Sequence, residues 1–220
     1  MEKFYENTTE NSLKSSLHKL ILPQECANRT QKDQVPEYIV LHEPSTGLYK
    51  TPPSFNMQYY ARKILIDGLQ GKEVGYHFLV GDKKVYQFIP EDEVAYHTGT
   101  SFNYKSIGVE RLVCMGISHE DALHNQAKLV ATLMVKWGLG IDKVITHLET
   151  RRRSLIKPRV CPSRLLAGLY GGLPGFMQEI SYCLKTRDLF FELFESTKLI
   201  DDLFKLKLKP EEDFVRIRGK

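Results

Sequence analysis

Apolar positions alternate along this chain between short runs and a helical period. Tyr38 to Leu41 is an apolar run that reads as a buried strand, and the stretch from Glu43 to Ser54, with Pro44, Gly47, Pro52 and Pro53, reads as a loop. Val74–Val80 and Lys84–Ile89 read as two strands joined at Gly81-Asp82, a hairpin signal. Ser106–Cys114 and Lys143–Thr146 read as further strands. Between Asn56 and Leu69, Tyr59, Tyr60, Ile64 and Leu65 recur with charge between them, predicting a helix capped by Asn56 or Ser54. Ser118-His-Glu-Asp121 has the form of a capping box opening a long helix to about Trp137, with Gly138 and Gly140 to stop it. Pro162-Ser163 opens a further helix through Leu169, ended by Gly171-Gly172. Strands alternating with helices predict an α/β core.

The two ends differ in texture. Residues 1–35 are polar; Leu13 to Leu22 has the makings of one short amphipathic helix, but an arm or loop is the expectation. After Pro174, Phe176 to Leu208 mixes Phe and Leu with charges of both signs, predicting two helices broken near Thr186 or Thr197. A membrane-surface, wall-binding or dimerisation element is one reading of it. A helical cap packed on the core is preferred, because both signs of charge are present and no wall-binding repeat occurs. The expected division is therefore an N-terminal arm (1–35), a core domain (36–173) and a C-terminal helical extension (174–220).

The chain's 220 residues, 42% hydrophobic and 26% charged, suit one soluble domain with an extension. A net charge of +4 is too mild to predict nucleic acid as a partner, and it is compatible with a polyanionic surface. No apolar run reaches the ~20 residues of a transmembrane helix. The first ten residues lack a basic segment followed by an apolar one, so the expectation is no signal peptide and a cytoplasmic location at synthesis. The four cysteines, Cys26, Cys114, Cys161 and Cys183, are scattered, which favours a reducing compartment over a disulfide scaffold.

Chemistry concentrates in three places. Two strand-like runs end in His42 and His147, and Arg159-Val-Cys161-Pro offers a thiol before a helix start. Two imidazoles and one thiolate make a three-ligand set for Zn²⁺ with the fourth tetrahedral position open, the mark of a catalytic zinc. Taken alone the set is weak, since these residues are far apart, and a strand histidine or lone cysteine is more often structural.

The stretches between them add specificity. In order, Ile39-Val-Leu-His42, Val74-Gly-Tyr-His-Phe78, Tyr96-His-Thr-Gly99, Ser106-Ile-Gly-Val-Glu110, Val144-Ile-Thr-His147 and Cys161-Pro-Ser163 resemble the zinc-dependent N-acetylmuramoyl-L-alanine amidases of the phage-lysozyme and peptidoglycan-recognition-protein superfamily. The resemblance covers roughly residues 36–170. It implies a mixed central sheet flanked by helices, a groove with zinc at one face, and hydrolysis of the amide joining N-acetylmuramic acid to L-alanine in peptidoglycan or muropeptides. By position it implies His42, His147 and Cys161 as zinc ligands, Glu110 as general base, Tyr76 as an assisting tyrosine and His97 as a groove histidine facing substrate. Arg159 stands where the family usually carries an oxyanion-stabilising lysine, a change of shape and hydrogen bonding at constant charge; Lys157 is the alternative.

Each role has a plainer competitor. Glu110 beside Arg111 is otherwise a surface carboxylate, Tyr76 a core aromatic, and His77 a residue of the core or of the shell behind the ligands. His119 and His124 are expected to face solvent. The stretch between His147 and Cys161 is long and carries Arg151, Arg152 and Arg153. It is expected as a loop edging the groove and meeting stem-peptide carboxylates, with a solvated basic loop as the equal alternative. Glu43, directly after His42, is unusual for the family, and orienting a ligand is its expected role. The second functional reading is a muropeptide-binding protein without catalysis; Cys161 and Glu110 favour the enzyme. The expected lack of an export signal fits a phage lysin released through a holin-type pore, a recycling enzyme, or an autolysin freed on lysis, and the sequence leaves the oligomeric state open.

Overall fold

The computed structural model describes residues 16–44 and 55–193. Six strands, β1 (Ser16–Lys19), β2 (Tyr38–His42), β3 (Phe78–Val80), β4 (Lys84–Gln87), β5 (Ser106–Arg111) and β6 (Val144–Thr146), form one sheet in the order β1-β4-β3-β5-β2-β6. Only the β3–β4 hairpin is antiparallel; every other neighbouring pair is parallel, so the sheet is mixed. Among the described residues five α-helices accompany it: α1 (Met57–Leu69), α2 (His119–Trp137), α3 (His147–Arg153), α4 (Ser163–Leu166) and α5 (Gly172–Thr186). The mixed sheet with flanking helices is the expected class.

Side-chain alternation divides the strands between two faces. Ile39, Leu41, Phe78, Val80, Ile107, Val109 and Val144 point to one face, where they pack with α2 (Leu129, Val130, Leu133) and α5 (Phe176, Ile180, Cys183). Leu79 and Phe88 face the other side with Met57 and Ile64 of α1. Val40 and Ile145 meet Phe102 in a small third cluster. Alternation then puts His42 and Glu110 on the Val40 side, away from α2.

Local signals set the helix limits. The Asn56 side chain accepts from the Tyr59 N–H, and the Ser118 side chain from the Asp121 N–H, as the caps predict. Gly138 ends α2 in the left-handed conformation at φ 64°, where a side chain is disfavoured.

Several expectations are corrected. Residues 16–19, expected in an arm, loop or short helix, form edge strand β1, with Leu17 opposite Val85 and packed on the main core. Four residues are too few for period to separate strand from helix. The strand expected over Val74–Val80 is confined to Phe78–Val80, and Val74 makes only an isolated bridge to Tyr96. The arginine-rich stretch after His147 begins as helix α3: the Thr146 hydroxyl caps the Glu149 N–H, and Arg151, Arg152 and Arg153 occupy its last turn, where the helix dipole favours cations. The helix opened at Ser163 stops at Leu166, and α5 starts at Gly172. It ends at Thr186, one of the two expected breaks; Thr197 and the helix expected to Leu208 lie outside the described residues.

His124 does not simply face solvent. Its Nδ1 lies 2.7 Å from Glu179 of α5 and its Nε2 2.9 Å from Asp188, whose other oxygen meets Lys128 at 2.8 Å. Among the described residues no helix is long and apolar enough to cross a membrane.

Candidate metal centre

The site grows from the carboxyl ends of three adjacent parallel strands. β2 and β5 pair with His42 directly opposite Glu110, and β6 ends one residue before His147. Clefts outside the carboxyl ends of parallel strands are where α/β sheets gather ligands. Cys161 reaches the same point along the chain returning from α3, where the Leu148 N–H donates to the Cys161 carbonyl at 3.0 Å. One donor atom each from His42, His147 and Cys161 lie within 4.8 Å of one another, and all three residues are buried.

Backbone carbonyls fix which ring nitrogen is free. His147 Nε2 lies 3.0 Å from the Thr98 carbonyl, which only accepts, so Nε2 carries the proton and Nδ1 keeps its lone pair. His97 Nε2 likewise faces the Ser106 carbonyl at 3.3 Å, which leaves His97 Nδ1 to accept from His42 Nε2 at 2.9 Å. His42 Nδ1 is then bare, 3.9 Å from Cys161 Sγ and 3.9 Å from Glu110. Burial is the first cause that holds His42, His97 and His147 below the usual imidazole range, His147 at about 4. With neutral rings, the His42–Glu110 contact is not an ion pair. Two neutral imidazole nitrogens and one sulfur, each imidazole backed by an acceptor, form a donor set suited to Zn²⁺.

Without a cation the other groups are held protonated. Burial, reinforced by Glu110, pushes the Cys161 thiol up to about 12, and burial pushes Glu110 up to about 8 against the pull of the Arg159 guanidinium. A nearby divalent ion reverses that balance and favours both anions. The Glu43 N–H already points at Cys161 Sγ from 3.4 Å, the polarity a thiolate needs.

A cleft of about 730 Å³ opens over these groups, lined by His42, His97, His147 and Cys161 together with Glu110, Tyr76 and Arg159. Tyr76 precedes β3, edge-on to Phe88 at 5.8 Å; burial first, then Glu110, keeps its phenol well above the usual range. Arg159 is exposed at the rim. The far wall is α1, with Tyr59, Tyr60 and Lys63.

Other candidates fall elsewhere. Arg151 and Arg152 do not line the cleft. Arg151 Nε donates to the Lys157 carbonyl at 2.6 Å, fastening the loop after α3; Arg152 is exposed, and Arg153 pairs with Glu149. Lys157 is exposed and outside the cleft lining. His77 belongs to the core, accepting from the Gly108 N–H at Nδ1 and facing the Glu93 carbonyl through Nε2. His97 both lines the cleft and supports His42. Sequence reasoning missed Thr98 and Ser106, which act through backbone oxygens, and Gly108, where a Cβ would sit 2.8 Å from the His97 ring. A second potential donor group, His124, Glu179 and Cys183, differs from the first: both His124 nitrogens already meet carboxylates and Lys128 adds an ammonium, so its charges balance within the protein.

Known proteins resemble this chain in sequence and fold. A family model described as N-acetylmuramoyl-L-alanine amidase matches residues 31–164. N-acetylmuramoyl-L-alanine amidase CwlA of Bacillus subtilis (strain 168) is 32% identical over 139 residues, 60% of this chain and 44% of that protein. N-acetylmuramoyl-L-alanine amidase CwlL of Bacillus licheniformis is 34% identical over 99 residues, 40% of this chain and 26% of that protein. The match thus spans less than half the length of either relative. The catalytic domain of XlyA superposes with a TM-score of 0.63 at 23% identity, covering 74% of this chain and 98% of that one, and so shares the fold. The solution structure of the PlyG catalytic domain superposes at 0.58 with 26% identity, covering 76% and 94%.

Proposed function

Because the chain belongs to the N-acetylmuramoyl-L-alanine amidase family, we propose that it is a zinc-dependent hydrolase of the amide between N-acetylmuramic acid and L-alanine, in peptidoglycan or muropeptides. One observation carries the reading. The buried His42, His147 and Cys161 donors share a cleft with a carboxylate, Glu110, that reaches His42 Nδ1 at 3.9 Å.

An amide is a weak electrophile and neutral water a weak nucleophile. His42, His147 and Cys161 would hold Zn²⁺, which would supply activation of water near pH 7 and polarisation of the scissile carbonyl. Glu110, as the carboxylate, takes the proton of the attacking water and delivers it to the departing alanine nitrogen. The C–N bond breaks as that nitrogen is protonated, leaving a carboxylic acid on the muramyl lactyl group and a free amine on the peptide. Arg159 at the rim brings positive charge to the oxyanion, and Tyr76 brings a phenol O–H that its environment keeps protonated. His97 holds the His42 ring rather than reacting. The wall formed by Tyr59 and Tyr60 offers flat apolar surface to the substrate.

Two substitutions separate metal binding from proton transfer. Glu110→Gln is expected to keep zinc and fold while turnover falls by orders of magnitude, whereas Cys161→Ser loses zinc and turnover together. A fully active Glu110→Gln protein rules out the base assignment.

A further inference from the structure

Next to His42, Glu110 and Cys161 lies a buried ion cluster centred on Glu43, a residue that itself borders the cleft. The Glu43 carboxylate is hydrogen-bonded to Arg111 Nη2 through Oε1, and both side chains are almost wholly buried. Its Oε2 accepts from the Arg164 N–H at 2.8 Å and the Ser163 hydroxyl at 3.4 Å. Arg111 Nε and Nη1 have no hydrogen-bond partner among the described residues, so Glu43 is the counter-charge this guanidinium depends on. The Tyr170 ring adds a cation–π contact 5.6 Å away.

The chain positions give the cluster its meaning. Glu43 follows His42, Arg111 follows Glu110, and Ser163 and Arg164 come two and three residues after Cys161. One carboxylate therefore ties together the ends of β2 and β5 and the start of α4, each next to a different functional side chain. The same residue's main chain meets the sulfur: its N–H lies 3.4 Å from Cys161 Sγ and its carbonyl 3.6 Å. Apolar residues at 43 and 111 would meet the packing demand alone; a charged pair there adds direction and fixed separation.

We propose that Glu43 is a positioning residue, and that its clasp on Arg111 and Arg164 sets the spacing of His42, Glu110 and Cys161 on which metal affinity depends. The inference rests on the zinc reading above. The clasp acts through the ligands, and its loss affects binding of the ion before any chemistry.

The test is zinc affinity of the full chain, measured by competition with a chromogenic chelator alongside the melting temperature of the metal-free protein. Replacing a buried ion pair by apolar residues of similar size commonly preserves stability. The double variant Glu43→Leu with Arg111→Met is therefore expected to melt, metal-free, near the parent temperature and yet bind zinc about 10–100-fold more weakly, the usual effect of losing the support behind a ligand. Glu43→Asp, which keeps the charge but withdraws it by one methylene, is expected to weaken zinc by about tenfold, and it serves should the double variant not fold. Parent-like zinc affinity in either folded variant overturns the proposal. A parent protein that binds no zinc overturns the zinc reading and this inference together. A parent that binds zinc but cleaves nothing refutes the activity alone, and the affinity comparison still decides the clasp.

Discussion

The Thr98 and Ser106 carbonyls decide the state of three imidazoles, because an oxygen that can only accept forces the proton onto the nitrogen facing it. The candidate ligands themselves were legible in the sequence: His42 and His147 stand at strand ends, and Cys161 precedes a helix start. Their support was not, because main-chain oxygens leave no letter in a sequence and the 55-position separation of His42 and His97 hides their contact. Gly108 is a residue whose importance only packing reveals. A Cβ there meets the His97 ring at 2.8 Å, closer than side-chain atoms tolerate. Gly108→Ala is expected to displace His97, release the His42 Nε2 proton from its acceptor and weaken zinc about tenfold or more. Competition titration checks this; unchanged affinity would show that His97 does not orient His42.

At the scale of elements, caps and strand runs were readable and charge clusters were not. Asn56 and Ser118 cap α1 and α2 as their spacing indicates, since a cap depends on residues three apart. Strand β1 escaped because its four residues join a sheet edge whose partner, β4, lies 68 positions on. His124 escaped because both its partners sit on or just beyond α5. Hydrogen bonds to Asp188 and Glu179 raise its imidazole to about 9, and the same contact, with Lys128, holds Asp188 down at about 2. The signs define a window. The His124 contribution is complete below its unfolded pKa near 6.5 and fades as pH rises through about 9. The Asp188 contribution is complete above its unfolded value near 3.8 and fades as pH falls through about 2. The joint of α2 and α5 is thus tightest between these limits. Melting temperature is expected to decline between pH 7 and 9.5 in the parent and to decline less in His124→Gln. Parallel curves for the two proteins would remove His124 from the account.

For the whole molecule, the family and the α/β class were open to a reader of six ordered motifs, because order and spacing from Ile39 to Ser163 constrain a fold more than any one motif does. The sheet then does what separated letters cannot show: three parallel strand ends bring His42, Glu110 and His147 into one cleft, and the return from α3 delivers Cys161. The two ends of the described chain contribute to the same body, β1 at the sheet edge and α5 within the core packed on α2. What this assembly cuts is decided by its products. The direct measurement is mass spectrometry of a defined muramyl peptide after incubation with the zinc-loaded chain, with the chelated chain, and with the chelated chain after zinc is returned. The expected products are N-acetylmuramic acid with a free lactyl carboxylate and a peptide beginning at L-alanine, absent under chelation and restored by zinc. Cleavage at another bond, or the same products at an undiminished rate in the chelated protein, would contradict it.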